Sequence, residues 1–173
     1  MEEAESVLWA SWKRLVDDYV SGKLILKTEK DMEKAMAQIS QDVIAEHGFA
    51  LDAKRQQRHG ERIVDLEIGN AIRYFLLVQI KFYHDKADWK ETPAMMNTVE
   101  SDLKFAKGHK DTYVAIIDTI PSTARAMLSF NLPWEKVEIN EKVFNEVYST
   151  INPKTSPPRE RQQRILLANG AQL

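Results

Sequence analysis

The sequence predicts an α/β fold, a mixed central sheet flanked by helices, with an α-β-β-β-α-β core over roughly residues 29–118. Three observations predict it. Apolar residues recur at helical spacing before and between the strand candidates. Three segments, 62–68, 73–83 and 112–118, have the length and apolar content of strands. Between the last two lies one helical segment, and a strand-helix-strand succession implies a crossover joining two parallel strands.

Each element has its own signal. Residues 3–20 place Leu8, Trp12, Leu15, Val16 and Tyr19 on one helical face, and Gly22 ends that helix. Thr28 starts the next, with Asp31 at capping-box spacing. Its buried stripe is Met32, Met36, Ile39 and Val43, and Gly48 supplies the left-handed stop. Residues 49–54 (FALDAK) alternate weakly as a strand, and 62–68 (RIVDLEI) alternate well. Residues 73–83 are apolar on both faces, as in a central strand, and Gly69-Asn70 marks the hairpin turn before them. Thr92-Pro93 opens a third helix that carries Met95, Val99 and Leu103 and stops at Gly108. Residues 112–118 (TYVAIID) read as a buried strand. Beyond Pro121 the expectation is a short helix at 122–129, a short strand at 136–139 and a helix from Asn140 to about Ile151. The segment 152–173, with Pro157-Pro158 and several arginines, is expected to be a flexible basic tail.

Composition bounds the function. The chain has 173 residues, 43% hydrophobic and 29% charged, which suits one domain with a substantial core. Its net charge of −2 argues against a wholesale nucleic-acid coat and leaves room for a local basic patch. With no cysteine, disulfides and thiolate metal sites are excluded. The acidic start, MEEAES, is unlike a signal peptide, and no apolar run reaches the length of a membrane span. A cytoplasmic, soluble protein without a membrane partner is expected. There is no phosphate-binding glycine loop and hence no expected nucleotide cofactor, and no Gly-x-Ser-x-Gly elbow.

The hairpin RIVDLEIGNAIRYFLLVQIKFY raises the chemical question. Side chains alternate along strands, so Asp65 and Glu67 share one face, and Gln79 and Lys81 share a face of the next strand. A charged group on a central strand is costly unless it is paired or coordinates something. A structural ion pair and catalytic machinery both meet that requirement. Val64-Asp65 followed by Gln79-Ile80-Lys81 resembles the PD-(D/E)xK nuclease superfamily, in which an acid ends one strand and a carboxylate, any residue and lysine follow on the next. The fourteen-residue interval and the element order fit that family over about half the chain. The resemblance implies a restriction-endonuclease-like domain over residues 1–151 with an N-terminal helical extension. It implies DNA phosphodiester hydrolysis with Mg²⁺ or Mn²⁺. Asp65 would be the principal metal ligand, Gln79 the second ligand, and Lys81 the group that orients water or stabilises charge.

Gln79 departs from the family pattern, because an amide binds a hard cation without adding negative charge. A compensating acid is expected, and the candidates are Glu67 and Glu46. Glu46 follows Ile39 and Val43 on the second helix, and an acid on that helix is an extra metal ligand in some members of the superfamily. It is favoured over Glu67 as the compensating acid, and its other reading, a solvated residue in the last turn of the helix, weighs more. Gln79 could equally be a core amide. The segment KRQQRHGER reads as a loop between strands, or as a rim that holds DNA phosphates through Lys54, Arg55, Arg58 and Arg62, joined by Lys86 and Lys90. His47 and His84 have no histidine partner at metal spacing and read as incidental. Tyr83 and Trp89 read as packing residues, and Trp89 would stack on a base if exposed. Arg159–Arg164 reads as a solvated terminus or a nucleic-acid contact. Double-strand cleavage by so small a chain would favour a homodimer. Two further readings remain: an inactive nuclease-fold module for binding or assembly, and a scaffold docking through Trp9 and Trp12.

Overall fold

The computed structural model describes residues 1–83, 93–118, 130, 132–148 and 162–173. Helices α1 (Glu2–Ser21) and α2 (Glu29–His47) precede strands β1 (Asp52–His59), β2 (Arg62–Gly69) and β3 (Tyr74–Tyr83). Then come α3 (Pro93–Ala106), β4 (Thr112–Asp118), β5 (Glu135–Glu138), α4 (Glu141–Tyr148), β6 (Gln162–Asn169) and a 3-10 helix, Gly170–Gln172. The expected order over 29–118 is therefore present as α2-β1-β2-β3-α3-β4. The strands form one mixed sheet in the order β1-β2-β3-β4-β6-β5. Among the described strands, only β3 and β4 pair in parallel, and α3 lies between them in the chain. No helix among the described residues is long and apolar enough to cross a membrane.

The sheet separates two apolar layers. On one side α1, α2 and α4 cover Leu66, Ile68, Val78, Ile80, Ala115, Ile117, Ile165 and Leu167. On the other, Val99, Leu103 and Ala106 of α3 cover Val114, Ile116, Leu166 and Ala168. The alternation of strand residues sorts these two sets, and every residue of β4 is buried, as a strand covered on both faces must be.

Local chemistry fixes the ends of α2. Thr28 Oγ1 accepts the Asp31 N–H at 3.1 Å, and the Asp31 carboxylate accepts the Thr28 N–H at 3.2 Å. This reciprocal cap begins the helix one residue before Glu29, so that Glu29 lies in the first turn and Glu33 one turn further on. Gly48 closes the helix in the left-handed conformation at φ 67. The β2–β3 turn depends on close approach: a Cβ at Gly69 would lie 2.5 Å from the Arg73 carbonyl oxygen. Asn70 Oδ1 accepts the N–H groups of Ile72 and Arg73, both at 2.9 Å, and completes the turn.

Two expectations are corrected here. The segment from Lys54 to Arg62 is not a loop: it forms β1, the tight turn at Gly60-Glu61 and the start of β2, with His59 opposite Arg62. Only Ala53 of β1 is fully buried, so the segment carries no apolar pattern, and its charges suit an edge strand that must avoid further pairing. The flexible-tail expectation fails from residue 162 onward. β6 lies inside the sheet between β4 and β5, with Ile165, Leu166, Leu167 and Ala168 buried. Its one apolar run, ILLA, is four residues long and follows a stretch rich in proline and arginine, so no local pattern marks it as a buried strand. Residues 122–129 and 149–161 lie outside the described residues.

The end of β6 is anchored on the end of α3. Gly108 N–H donates to the Gly170 carbonyl at 2.7 Å, and Asn169 Nδ2 donates to the Lys110 carbonyl at 2.8 Å. A Cβ at Gly170 would meet the Ala106 carbonyl oxygen at 1.8 Å, a backbone atom that cannot rotate away. Gly170→Ala should therefore cost about 3 kcal/mol through overpacking. A thermal melt should show a fall of roughly 10 °C; an unchanged midpoint would contradict this anchoring.

Candidate metal centre

The site forms where β2 and β3 separate. Their ladder runs from Gly69 opposite Tyr74 to Leu66 opposite Val78 and ends there. At the next position the Asp65 carboxylate takes over: its Oδ2 accepts the Ile80 N–H at 2.7 Å. A backbone donor that a neighbouring strand would otherwise satisfy is satisfied by a side chain, which holds the carboxylate in the fork. On the other side of β2, Arg55 pairs with Leu66 and Gln57 with Val64, and the intervening Gln56 and Asp65 are not paired. Gln56 adopts φ 53, and among the described residues it is the non-glycine residue with positive φ.

Helix α2 brings two more acids to this fork. One oxygen from each of Glu29, Glu33 and Asp65 lies within 4.8 Å of the other two. Asp65 and Glu33 are 8% and 7% exposed, whereas the Glu29 side chain is 36% exposed and gives the cluster its contact with solvent. Lys81 reaches the same place from β3. Its Nζ is 3.2 Å from Glu29 Oε1 and 2.9 Å from Asp102 Oδ2 of α3, so it bridges helices on the two sides of the sheet. Arg55 Nη2 lies 3.2 Å from Glu33 Oε2, and Arg62 Nη1 lies 2.6 Å from Asp102 Oδ1. Among the described residues, four carboxylates thus face three cations, an excess of negative charge at this place.

The titration behaviour follows from that excess. Burial pushes the Asp65 carboxyl up to about 6, only partly opposed by the Ile80 N–H and the Lys81 charge. Burial also raises Glu29, again against the pull of Lys81. For Lys81, burial disfavours the ammonium, but Asp102 and Glu29 outweigh it and leave its pKa raised. Lys81 is therefore charged at neutral pH.

The expected residues divide clearly. Asp65 and Lys81 are brought to a common site through Glu29. Gln79 is buried at 2% exposure on the same strand, and its Nε2 has no hydrogen-bond partner among the described residues. Glu46 is a correction: its carboxylate forms a two-pronged pair with Arg14 of α1, at 3.0 and 2.7 Å, with the side chain 53% exposed. Arg14 lowers its pKa. It belongs to the outer surface of the helix pair, and Glu46→Ala should leave Mn²⁺ affinity within about twofold, a surface change without a lost ligand; a tenfold loss in a calorimetric titration would contradict this. Glu67 is also outside the cluster, paired with His59 at 2.6 Å. The acids of that helix that do meet Asp65 are Glu29 and Glu33, not Glu46. Glu33 continues to Ala37, Ser40 and Ile44, all buried, a second stripe beside the methionine one. That spacing, with Glu29 four residues earlier, was the available signal.

Among the expected phosphate contacts, Lys54 and Arg58 lie exposed on β1, with Lys54 only 3.8 Å from Asp52. Arg55 is tied to Glu33. Arg62 is a correction: it binds Asp102 and Ser101 and stacks over the Phe105 ring, which makes it a fastener of α3. Lys86, Lys90, His84 and Trp89 lie outside the described residues, as does the side chain of Tyr83. His47 caps its own helix through the Val43 carbonyl and stacks on Phe49. Trp12 is 7% exposed in the core, and Trp9 is half-exposed and edge-on to Tyr113.

The donor set fits a hard divalent cation. Mg²⁺ and Mn²⁺ take oxygen ligands, and three carboxylates converge where the described residues carry an excess of negative charge. No protein-family model matches the chain, and neither the curated proteins nor the solved structures give a significant match.

Proposed function

We propose that the chain is a metal-dependent nuclease with a restriction-endonuclease-like core that hydrolyses DNA phosphodiester bonds. The observation that carries the reading is the convergence of Asp65, Glu33 and Glu29 within 4.8 Å, with the Lys81 ammonium 3.2 Å from Glu29. Asp65, Glu33 and Glu29 would hold Mg²⁺ or Mn²⁺, and Glu33 supplies the charge that Gln79 does not. When bound, the cation neutralises the phosphodiester and makes water a competent nucleophile near neutral pH. Lys81, fixed between Glu29 and Asp102, holds a positive charge beside the attacked phosphate and orients the water. Asp65 is held by the Ile80 N–H, so its second oxygen stays aimed into the fork. A groove between α2 and β1, whose charged lining residues are Lys34, Lys54, Arg55 and Asp52, offers a track for the DNA backbone beside Glu33. Cleavage of both strands would require a second copy.

Gln79 favours one competing reading, a nuclease fold that binds without cutting. Its amide stands where the family carries an acid, and its buried Nε2 is unpaired among the described residues. Supercoiled plasmid and single-stranded DNA, incubated with Mg²⁺ or Mn²⁺, separate the two. The nuclease reading expects cation-dependent cleavage that falls at least about 100-fold in Glu33→Gln. DNA binding without cleavage, equal in wild type and variant, supports the binding module instead.

A further inference from the structure

We propose that Arg62 is a positioning residue for Lys81: acting through Asp102, it keeps the Lys81 ammonium on the Glu29 side of the fork. The kinetic consequence rests on the nuclease reading above. The starting point is the pair of arms that form the fork. The β2–β3 ladder stops at Leu66 opposite Val78, so no backbone pairing joins the Arg62 end of β2 to the Lys81 end of β3. Asp102 of α3 spans that gap with its side chain. Its Oδ1 accepts from Arg62 Nη1 at 2.6 Å, and its Oδ2 lies 2.9 Å from Lys81 Nζ. Asp102 and Lys81 are both buried, so their charges act on one another with little screening by water.

The two contacts of Asp102 are not equivalent. Arg62 holds Oδ1 in a hydrogen bond and is itself fixed. Its Nη2 donates to the Ser101 carbonyl at 3.2 Å and to Ser101 Oγ at 2.6 Å, and its guanidinium carbon lies 4.6 Å from the centre of the Phe105 ring. Oδ2 is within ion-pair distance of Lys81, yet among the described residues no hydrogen-bond donor is aligned on it. Lys81 Nζ instead donates to Glu29 Oε1 at 3.2 Å. Arg62 therefore fixes the direction of the Asp102 carboxylate. Lys81 is attracted to that carboxylate but hydrogen-bonded toward the fork. Without Arg62, the carboxylate is free to turn and accept from the ammonium. Asp102 is the more buried of the two acids, so it draws the ammonium more strongly than Glu29, whose side chain is 36% exposed. Lys81 then leaves the acids of α2 and the place where it would face a phosphate.

The test compares wild type, Arg62→Met, Arg62→Lys and Ser101→Ala by plasmid cleavage kinetics at several salt concentrations and by crystal structures. Methionine keeps an unbranched stem against Phe105 and removes the guanidinium. Lysine restores a charged donor for Asp102. Arg62→Met is expected to lose about 100-fold in kcat, the scale of a reacting group misplaced by about 1 Å. Its KM and salt dependence should match wild type, with Lys81 Nζ beyond hydrogen-bond distance of Glu29. Arg62→Lys should regain most of the rate. Ser101→Ala, an exposed change, loosens Arg62 and keeps the test open if Arg62→Met does not fold: kcat should fall about fivefold, the scale of one hydrogen bond, and an unchanged kcat overturns the proposal. A raised KM with a shallower salt slope and unchanged kcat in Arg62→Met would make Arg62 a phosphate contact. A lower melting temperature with unchanged kcat would leave it a fastener of α3 alone. Either result overturns the positioning role. If wild type cuts nothing, the nuclease reading falls and the crystal structures decide: Lys81 withdrawn from Glu29 in the variants upholds the role of Arg62, and Lys81 unmoved overturns it.

Discussion

Asparagine at position 65 should abolish Mn²⁺ binding and cleavage and, at pH 8 in EDTA, make the chain more stable than wild type. The Asp65 carboxyl is raised to about 6 from 3.8, because burial disfavours its charge more than the Ile80 N–H and Lys81 favour it. A raised carboxyl binds its proton more tightly in the folded than in the unfolded state. Its contribution to stability is therefore fully present below about pH 4 and is lost as the pH rises through 6. Two units correspond to about 3 kcal/mol. Asparagine keeps an oxygen to accept the Ile80 N–H and removes the charge, so it recovers much of that loss. A melt at pH 8 should rise by roughly 5 °C, on the order of 2 kcal/mol, and the difference should vanish near pH 4. Added Mn²⁺ at a hundredfold excess over its dissociation constant should stabilise wild type by about 2.7 kcal/mol and the variant not at all. A structural ion pair between Asp65 and Lys81 makes the opposite prediction: Asp65→Asn would melt lower at pH 8. This contrast separates a site kept for function from one kept for stability.

Lys81→Ala should separate affinity from chemistry. Lys81 lies between Asp102 and Glu29, and both carboxylates lose a partner when it is removed. Asp102 is 5% exposed and, among the described residues, would retain Arg62 as its cationic partner. Stripping one partner from a buried pair costs about 3 kcal/mol, a fall of roughly 10 °C in melting temperature for a chain of this size. Assayed well below that midpoint, cleavage should drop about 10³-fold, the scale of removing a preorganised charge from the reacting centre. Mn²⁺ affinity should stay the same or tighten, because a competing cation has gone. Lys81→Met, which retains most of the buried stem, should repeat the loss of cleavage with a smaller fall in stability. Cleavage at the wild-type rate in a folded Lys81→Met protein would reduce Lys81 to a structural fastener.

The parts of the fold that were legible in the sequence are those with redundant local signals. Thr28 and Asp31 specify a helix start by mutual hydrogen bonding, and the structure has both bonds. Gly69-Asn70 specifies the hairpin because no other residue tolerates the contact with Arg73. The strand 112–118 is apolar on both faces and therefore central. What failed lacked such signals. β1 is a polar edge strand whose partner, not its pattern, makes it a strand. β6 has one four-residue apolar run, and its burial on both faces comes from long-range placement beside β4.

The same distinction applies to the site. Asp65 and Lys81 were legible because charged residues on central strands demand an explanation. Glu33 is not legible from the methionine stripe of α2, the stripe that points to Glu46. The helix buries a second, adjacent stripe, and its N-terminal end, fixed by the Thr28 cap, is the end that meets the fork. Gln56 gave no sign at all. Its side chain reaches Glu33 and Asp65 from a backbone angle that no composition or periodicity encodes.

The most direct test is an anomalous difference map from crystals grown in MnCl₂. A peak in contact with carboxylate oxygens of Asp65, Glu33 and Glu29, at coordination distances of roughly 2 Å, is the predicted result. A map with Mn²⁺ only on the outer surface, and with Lys81 and Gln56 still bound to the acids, would contradict the metal centre and the nuclease built on it.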